Sequence, residues 1–257
     1  MEFLLIGATA LIASLLTFFS GFGLGTLLMP VFALFFDVEI AIALTGIVHL
    51  LNNIFKIALI GKKTNWRIVL RFGIPGFFGA LAGAAILLNF SETEPILSYT
   101  LFGKKFFIEP LKLCISFLIF LFAVLELFPF YKRLSFDRNK IIVGGALSGF
   151  FGGLSGHQGA LRSAFLIKLN LSKETFIATG VTIACIIDLS RLSIYFSELN
   201  YETINQSSST LLVAIICAFS GAYFGKKMLR KITIQIVNYC VIVMLIFLSI
   251  AMALGII

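Results

Sequence analysis

The chain has 257 residues, of which 60% are hydrophobic and only 12% are charged, and its formal net charge is +8. Soluble domains are about half apolar and about a quarter charged, so this composition excludes an ordinary soluble domain and indicates a polytopic membrane protein. In such a protein an excess of basic residues reflects cytoplasmic loops, and we expect no nucleic-acid partner.

Ten apolar segments are typical of membrane helices. They lie at 3–19, 26–36, 40–60, 68–89, 106–128, 141–152, 160–170, 174–196, 207–225 and 232–255. No basic residue precedes the first segment, so we expect a retained transmembrane helix and not a cleaved signal peptide. At about 1.5 Å per residue, segments 26–36 and 160–170 each reach only half of a ~30 Å hydrocarbon core. We predict that these two are re-entrant half-helices.

Two glycine-rich stretches interrupt the apolar sequence at the short segments. The first reads SGFGLGTLLMP at 20–30 and the second reads GGLSGHQGALR at 152–162. Irregular backbone is tolerated at membrane depth only where it is buried in protein or lines a cavity. A half-helix that begins there presents unpaired N–H groups and the positive end of its dipole, which suits a small oxyanion. The alternative is that the glycines only permit close helix packing.

Basic residues cluster in three turns of the chain. They are Lys62, Lys63, Arg67, Arg71, Lys132, Arg133, Arg138, Lys140, Lys226, Lys227, Arg230 and Lys231. All three clusters fall on the cytoplasmic side only if each glycine break turns the chain back. We therefore predict a multi-pass protein of the cell membrane (inner or plasma) with both termini outside. Lys104 and Lys105 are exceptions, because this topology places them outside.

The two halves of the chain resemble each other. Residues 24–46 align without gaps with residues 158–180 and share a Thr-Gly pair. Each half also carries two glycines at i and i+4, which predict tight helix packing: Gly79 with Gly83 and Gly221 with Gly225. Five segments in each half invert the second half relative to the first. We expect an all-α integral membrane protein of two inverted repeats, 1–130 and 131–257, with the half-helices meeting near the midplane of one integrated domain.

Polar residues in the breaks and helices supply the candidates for substrate binding. They are Gly23, Gly25, Thr26, His49, Asn53, Gly156, His157, Gln158, Gly159, Arg162 and Thr182. Arg162 lies in the first turn of the second half-helix, and a guanidinium binds oxyanions in bidentate fashion. Its alternatives are snorkelling to the interface and pairing with an acid. His157 and Gln158 can donate hydrogen bonds to an anion, and His157 can also take up a proton.

The segment 40–60 carries a polar stripe. His49, Asn52, Asn53 and Lys56 are spaced i, i+3, i+4 and i+7, so they share one helix face. Such a stripe is expected to face the protein interior or a cavity. We assign His49 and Asn53 to the transport pathway and expect Lys56 to snorkel towards the cytoplasm.

The segment 174–196 carries two charges and a threonine. Asp188 and Arg191 are spaced i and i+3, which predicts an intrahelical ion pair. Thr182 lies deeper in the segment and is expected to line the cavity.

Six motifs occur in order along most of the chain. They read SGFGLGTLLMPVF (20–32), AIALTG (41–46), KTNWR (63–67), GIPGFFGALAGA (73–84), GGALSGFFGGLSG (144–156) and IATG (177–180). In these motifs the chain resembles the TauE/SafE sulfite exporter family. The resemblance implies duplicated membrane halves that move small sulfur-containing anions such as sulfite or sulfonates. The chain departs from the family at 156–159, where Gly-His-Gln-Gly replaces a glycine run, so sulfite is one of several expected substrates.

Metal and nucleotide chemistry are not expected. The chain has two histidines and four cysteines without a C-x-x-C pair, which predicts no metal site, no cofactor and no disulfide framework. It also lacks H-E-x-x-H, G-x-S-x-G and Walker motifs, which argues against a membrane enzyme and against direct ATP coupling.

The leading hypothesis is a secondary transporter that exports a small anion by alternating access. The expected partners are this anion and the lipid bilayer. A second copy of the chain is a further possible partner, in a homodimer. One alternative is an anion channel on the same scaffold. Another is a proton-coupled carrier of a different small organic anion, with His49 or His157 as the proton acceptor.

Overall fold

The computed structural model describes residues 1–20, 24–91, 94–101, 103–127, 138–198, 207–227 and 234–256. Within these ranges the chain forms ten α-helices: α1 (Glu2–Ser20), α2 (Leu24–Phe32), α3 (Val38–Ile60), α4 (Trp66–Ser91), α5 (Pro110–Leu127), α6 (Ile141–Ser155), α7 (Gly159–Leu166), α8 (Lys173–Glu198), α9 (Ser208–Lys227) and α10 (Ile234–Ala253). Several sequence predictions lie outside the described residues, namely those for Gly23, Lys132, Arg133, Arg230, Lys231 and the boundary at 130/131.

The connection between α4 and α5 differs from the prediction. The sequence favoured a helix from residue 106, but the structure has an antiparallel hairpin of β1 (Leu97–Leu101) and β2 (Lys104–Ile108). Gly103 lies at its turn with a φ of 75°, a conformation that favours glycine. Tyr99 pairs with Phe106 across the strands, and its hydroxyl donates to the Leu254 carbonyl at 2.6 Å after α10. The hairpin therefore replaces the first turn of the predicted helix.

Apolar helices dominate the described part of the chain. Four of them, α3, α4, α8 and α9, are long and apolar enough to cross a membrane. Helices α1, α5 and α6 are also apolar, but over shorter lengths. Many large apolar side chains on their outer faces are exposed, for example Phe78, Phe117 and Phe247. This is the pattern of an all-α membrane protein, in which lipid covers such faces. In contrast, α2 has 9 residues and α7 has 8, and each reaches less than half of a ~30 Å core at about 1.5 Å per residue.

The helices of the two halves pack against each other in pairs. Helix α1 packs along α9, and α4 packs along α6. Helix α3 packs on α8, and α5 packs on α10. Each short helix lies against the long helix that follows it, α2 on α3 and α7 on α8. These pairings bring the glycine breaks and the polar stripe of α3 together in the centre.

Glycines make the α4–α6 contact close. A Cβ added to Gly149 of α6 would collide with the carbonyl oxygen of Gly76 on α4. Gly79 and Gly83 of α4 lie equally close to carbonyl groups of α6, and Gly221 of α9 lies on the Leu11 carbonyl of α1. The predicted packing role is thus confirmed for these three glycines, since their backbones approach in the manner of small-xxx-small crossings.

We expect Gly149→Ala to destabilise the protein by about 2 kcal/mol, the middle of the range for overpacking. Helix propensity alone would favour alanine by about 1 kcal/mol, so the two effects have opposite signs. The steric clash has the larger effect on the free energy of unfolding, because the added Cβ meets the backbone of α4, which cannot rotate away. The measurement is thermal unfolding in detergent micelles.

Val143→Ala is the matched control, because Val143 lies on α6 with a 54% exposed side chain. It should change the unfolding temperature little. A Gly149→Ala protein as stable as the parent would show that α4 and α6 are packed less closely than described.

Candidate functional site

Asp188 of α8 lies at the centre of a buried polar cluster and is fully buried. Its Oδ2 is 2.6 Å from Nδ1 of His49 on α3. Its Oδ1 accepts hydrogen bonds from Gln158 Nε2 at 2.9 Å and from Arg191 Nε at 3.0 Å. The predicted ion pair of Asp188 with Arg191 is confirmed. One carboxylate therefore joins α3, α8 and the break before α7.

Arg162 lies beside this cluster and is linked to it through the neutral side chain of Gln158. Its side chain folds back towards the start of α7, where Nη1 donates to Gln158 Oε1 at 3.3 Å. Only 7% of the residue is exposed, so it does not snorkel to the surface. In the described ranges no carboxylate lies within ion-pair distance of Arg162. Its positive charge is thus held by a neutral amide.

Arg191 is enclosed by glycine backbone. Nη1 donates to the Gly152 carbonyl at 3.4 Å, and Nη2 lies 2.8 Å from Asp188 Oδ1 but has no aligned hydrogen-bond acceptor. A Cβ at Gly156 would lie 3.2 Å from Nη1, and one at Gly46 would lie 3.3 Å from Nη2. The glycine of the repeated Thr-Gly pair in the first half therefore leaves room for a guanidinium from the second half.

The polar stripe of α3 faces the interior, as its spacing predicts. His49, Asn52 and Asn53 are all buried, and Nδ2 of Asn53 lies 3.2 Å from Nδ1 and 3.3 Å from Nε2 of the His49 ring. The prediction that Lys56 snorkels is wrong, because it is only 3% exposed. With its amide turned to the orientation that satisfies both of its atoms, Asn52 accepts from Lys56 Nζ at 3.3 Å and donates to the Ala218 carbonyl at 3.1 Å. Packing of α9 over α3 covers the lysine, which sequence position alone could not reveal.

The two glycine breaks lie against each other. A Cβ on Gly25, in the first turn of α2, would be 3.6 Å from the Gly156 carbonyl oxygen. Gly156 ends α6 in the left-handed conformation with a φ of 81°, which favours glycine. Gly159 then begins α7, and the Gln158 carbonyl accepts from Ser148 Oγ at 2.9 Å. The N-termini of both short helices thus meet at one junction.

Buried polar atoms without partners surround this junction. Thr45 Oγ1 and His157 Nε2 are buried and make no hydrogen bond, and Nη2 of Arg191 has no aligned acceptor. Thr45 packs on Gly25, and Arg191 packs on Gly156. A buried polar atom without a partner costs about 1–3 kcal/mol, so Thr45 Oγ1 and His157 Nε2 are candidate contacts for a ligand. Thr45, Asp188 and Arg191 are the members that the sequence analysis did not select.

His157 faces away from Asp188. Its Nδ1 lies 2.8 Å from the Ser155 carbonyl, and its ring stacks on Phe122 of α5 with an interplanar angle of 7°. Together with Thr26 and Ala160 it lines a cavity of about 10 Å³, which also has four apolar residues in its wall. This is room for about one water. The expected polar chamber is therefore small and largely apolar in this conformation.

Thr182 is buried but lies apart from the Asp188 cluster. Its hydroxyl donates to the Ala178 carbonyl at 2.8 Å and lies 3.3 Å from Thr64 Oγ1. Nearby, the amide of Asn65 donates to Thr179 Oγ1 at 3.0 Å. Thr182 thus contacts the turn between α3 and α4 and not the other candidates.

Chemically, the cluster is suited to an anion and not to a metal. Three cationic side chains, Lys56, Arg162 and Arg191, are buried in the described residues, against one carboxylate, Asp188. Within the same ranges no group of three or more His, Cys, Asp or Glu side chains is placed to hold a metal ion.

Comparison with known proteins gives one match. A family model described as sulfite exporter TauE/SafE matches residues 6–252. No curated protein and no solved structure matches the chain.

Proposed function

Because the chain belongs to the TauE/SafE sulfite exporter family, we propose that it carries sulfite or a related sulfur oxyanion or organosulfonate by alternating access. Members of this family are membrane transporters and not enzymes, and the same holds for this chain. We further propose that the anion binds at the junction of the two glycine breaks and that it is exported. A negative cytoplasm favours export of an anion electrically.

The observation that carries the binding site is the set of unpartnered polar atoms at the junction. Thr45, which packs on Gly25, and His157, which follows Gly156, each have a buried side-chain atom without a hydrogen bond among the described residues, and Arg162 is joined to the same break through Gln158. A bound oxyanion has several acceptor oxygens and would accept from the Thr45 hydroxyl and the Arg162 guanidinium. Nε2 of the neutral His157 ring can accept from a protonated oxygen of the substrate, because Nδ1 donates to the Ser155 carbonyl. The oxyanion would also offset the excess of buried positive charge, which is costly in a low-dielectric interior.

The helix termini support the same site. Each helix N-terminus carries about half a positive elementary charge on N–H groups that lack intrahelical partners. Because Gly25 lies against Gly156, the starts of α2 and α7 supply two such ends to one place. We place Gly25, Thr26, Gly156 and Gly159 around the anion for this reason, and Gly23, outside the described residues, stays a sequence prediction.

We further propose that residues 1–130 and 131–257 are inverted repeats and that α2 and α7 are re-entrant near the midplane. The helix contacts support this. If each helix of the first half is replaced by its counterpart in the second half, and the reverse, the following packed helix pairs stay the same. Helix α1 packs on α9 as α6 packs on α4, while α3 with α8 and α5 with α10 pair counterpart with counterpart. Such repeats can alternate access by rocking about the site between them.

The proposed topology places both termini outside and the basic turns in the cytoplasm. Lys226 Nζ, at the end of α9, donates to the Leu59 carbonyl at 3.2 Å, so two basic turns lie at the same end of the bundle. A cysteine at position 226, in a variant whose native cysteines are replaced, should react with a membrane-impermeant maleimide only from the cytoplasmic side. Lys104→Cys in the hairpin is the control and should react only from outside. Labelling of both from one side would contradict the topology.

The experiment for the function is a flux assay with purified protein in liposomes. Sulfite, thiosulfate, sulfate, taurine and sulfoacetate are compared with acetate as a carboxylate control. We expect saturable flux of sulfite or an organosulfonate and none of acetate. Large single-channel currents that do not saturate would instead identify an anion channel. Failure of every sulfur anion to move would overturn the proposal.

A further inference from the structure

His49 and Asp188 form a short buried contact between the two halves of the chain. The 2.6 Å separation of Nδ1 and Oδ2 joins two titratable groups on α3 and α8, which pack against each other. His49 is 3% exposed and Asp188 is fully buried. A histidine in contact with a carboxylate is the side chain best suited to bind and release a proton near neutral pH. We propose that His49, held by Asp188, carries a proton with each transported anion.

The contact is connected to the anion site by hydrogen bonds. Asp188 Oδ1 accepts from Gln158, whose Oε1 accepts from Arg162. Gln158 is also the residue before the first turn of α7. Any change in the charge of the His49–Asp188 pair therefore acts on the residue that holds Arg162 and on the start of the short helix.

The surrounding charges set the direction of the coupling. The charged groups that act on His49 are Arg162 on α7 and Asp188 and Arg191 on α8. Lys56 lies seven positions further along α3. A proton on His49 and an anion beside Arg162 carry opposite charges in one buried cluster, so the bound anion favours the proton. By linkage, the proton must then strengthen anion binding by the same factor.

The resulting cycle moves both species in the same direction. The proton enters from water on the open side and binds neutral His49 as the anion binds at the junction. After the halves move, the anion leaves, and the imidazolium returns its proton to water on the other side. No covalent bond forms or breaks. Asn53 Nδ2 contacts the ring of neutral His49, and it would have to present its amide oxygen to the imidazolium, which has no acceptor nitrogen.

This inference rests on the proposed function, and its test separates the two. Sulfite flux and internal pH are measured together in liposomes with the membrane potential clamped by potassium and valinomycin. We expect His49→Asn to move one proton fewer per sulfite than the parent. Since sulfite is the same probe in both, the protons that sulfite itself carries cancel. Asp188 keeps Arg191 and Gln158 as partners in this variant, so the fold should persist.

His157→Asn is the matched variant, because the chain has only two histidines. It should weaken sulfite binding yet keep the proton-to-anion ratio of the parent. A parental ratio in His49→Asn would overturn the coupling and leave the sulfite transporter intact. No flux of any sulfur anion in the parent would overturn the proposed function itself.

If His49→Asn loses transport, its proton-to-sulfite ratio cannot be measured. The protonation state of His49 is then followed by NMR in the parent chain. With ¹⁵N-labelled histidine, the two imidazole signals are assigned with His157→Asn and followed during sulfite addition at constant pH. The His49 signal should shift to that of an imidazolium. A His49 ring that stays neutral at saturating sulfite would also overturn the proposal.

Discussion

Arg162→Ala is expected to reduce sulfite flux in liposomes at least ~100-fold while leaving the protein folded. Each hydrogen bond from a charged group contributes about 1.5–3 kcal/mol, and a guanidinium can supply two of them to one oxyanion. A loss of about 3 kcal/mol corresponds to roughly 100-fold in affinity. The side-chain partner of Arg162 in this conformation is the neutral amide of Gln158, so removing the guanidinium leaves no opposite charge buried and unpaired.

Two further variants make this prediction specific. Arg162→Lys keeps the charge but cannot bind in bidentate fashion, so its flux should lie between those of the parent and of alanine. Lys168→Ala removes one positive charge at an exposed position just after α7 and should leave flux unchanged. Unfolding temperatures of all three proteins should agree within a few degrees. Full sulfite flux in Arg162→Ala would exclude the guanidinium from the site.

Local features of the sequence were sufficient for most of the fold. Helix length and the glycine breaks predicted α2 and α7 as short elements, and both are short. The i, i+3 spacing predicted the Asp188–Arg191 pair because neighbours on one helix turn must be close. The hairpin was missed because β2 is apolar enough to continue the helix that follows it.

The candidate site was less predictable, because its key contacts join residues far apart in the sequence. His49 and Asp188 are separated by 139 positions, and no periodic pattern reports that α3 packs on α8. For the same reason Lys56, near the end of α3, was expected to snorkel and is in fact covered by α9. Thr45 belongs to no polar stripe or charge pair in the sequence, and only the unpartnered hydroxyl in the structure indicates it as a site residue.

Asp188→Asn is expected to destabilise the protein by about 3–5 kcal/mol, the cost of breaking a buried ion pair by removing one partner. Asparagine has the shape of aspartate, so the loss is electrostatic and not one of packing. Arg191 is fully buried, and in this variant it would have no counter-charge among its described contacts. His49 would also lose the carboxylate that it contacts at 2.6 Å. Chemical and thermal unfolding in detergent micelles measure the effect.

The double variant Asp188→Asn, Arg191→Met separates the orphaned charge from other causes. Removing the guanidinium together with the carboxylate should recover at least half of the lost stability, about 2 kcal/mol relative to Asp188→Asn. With Arg191→Met as the second single variant, the coupling energy of the double-mutant cycle is this recovery plus the cost of Arg191→Met alone. Sulfite flux should not recover, because the double variant still lacks the Asp188 carboxylate that contacts Gln158 and His49. Additive losses would mean that the pair is not the source of the stability. The two buried arginines then differ in kind: Arg191 neutralises a carboxylate that holds the helices together, whereas Arg162 keeps its charge available for the anion.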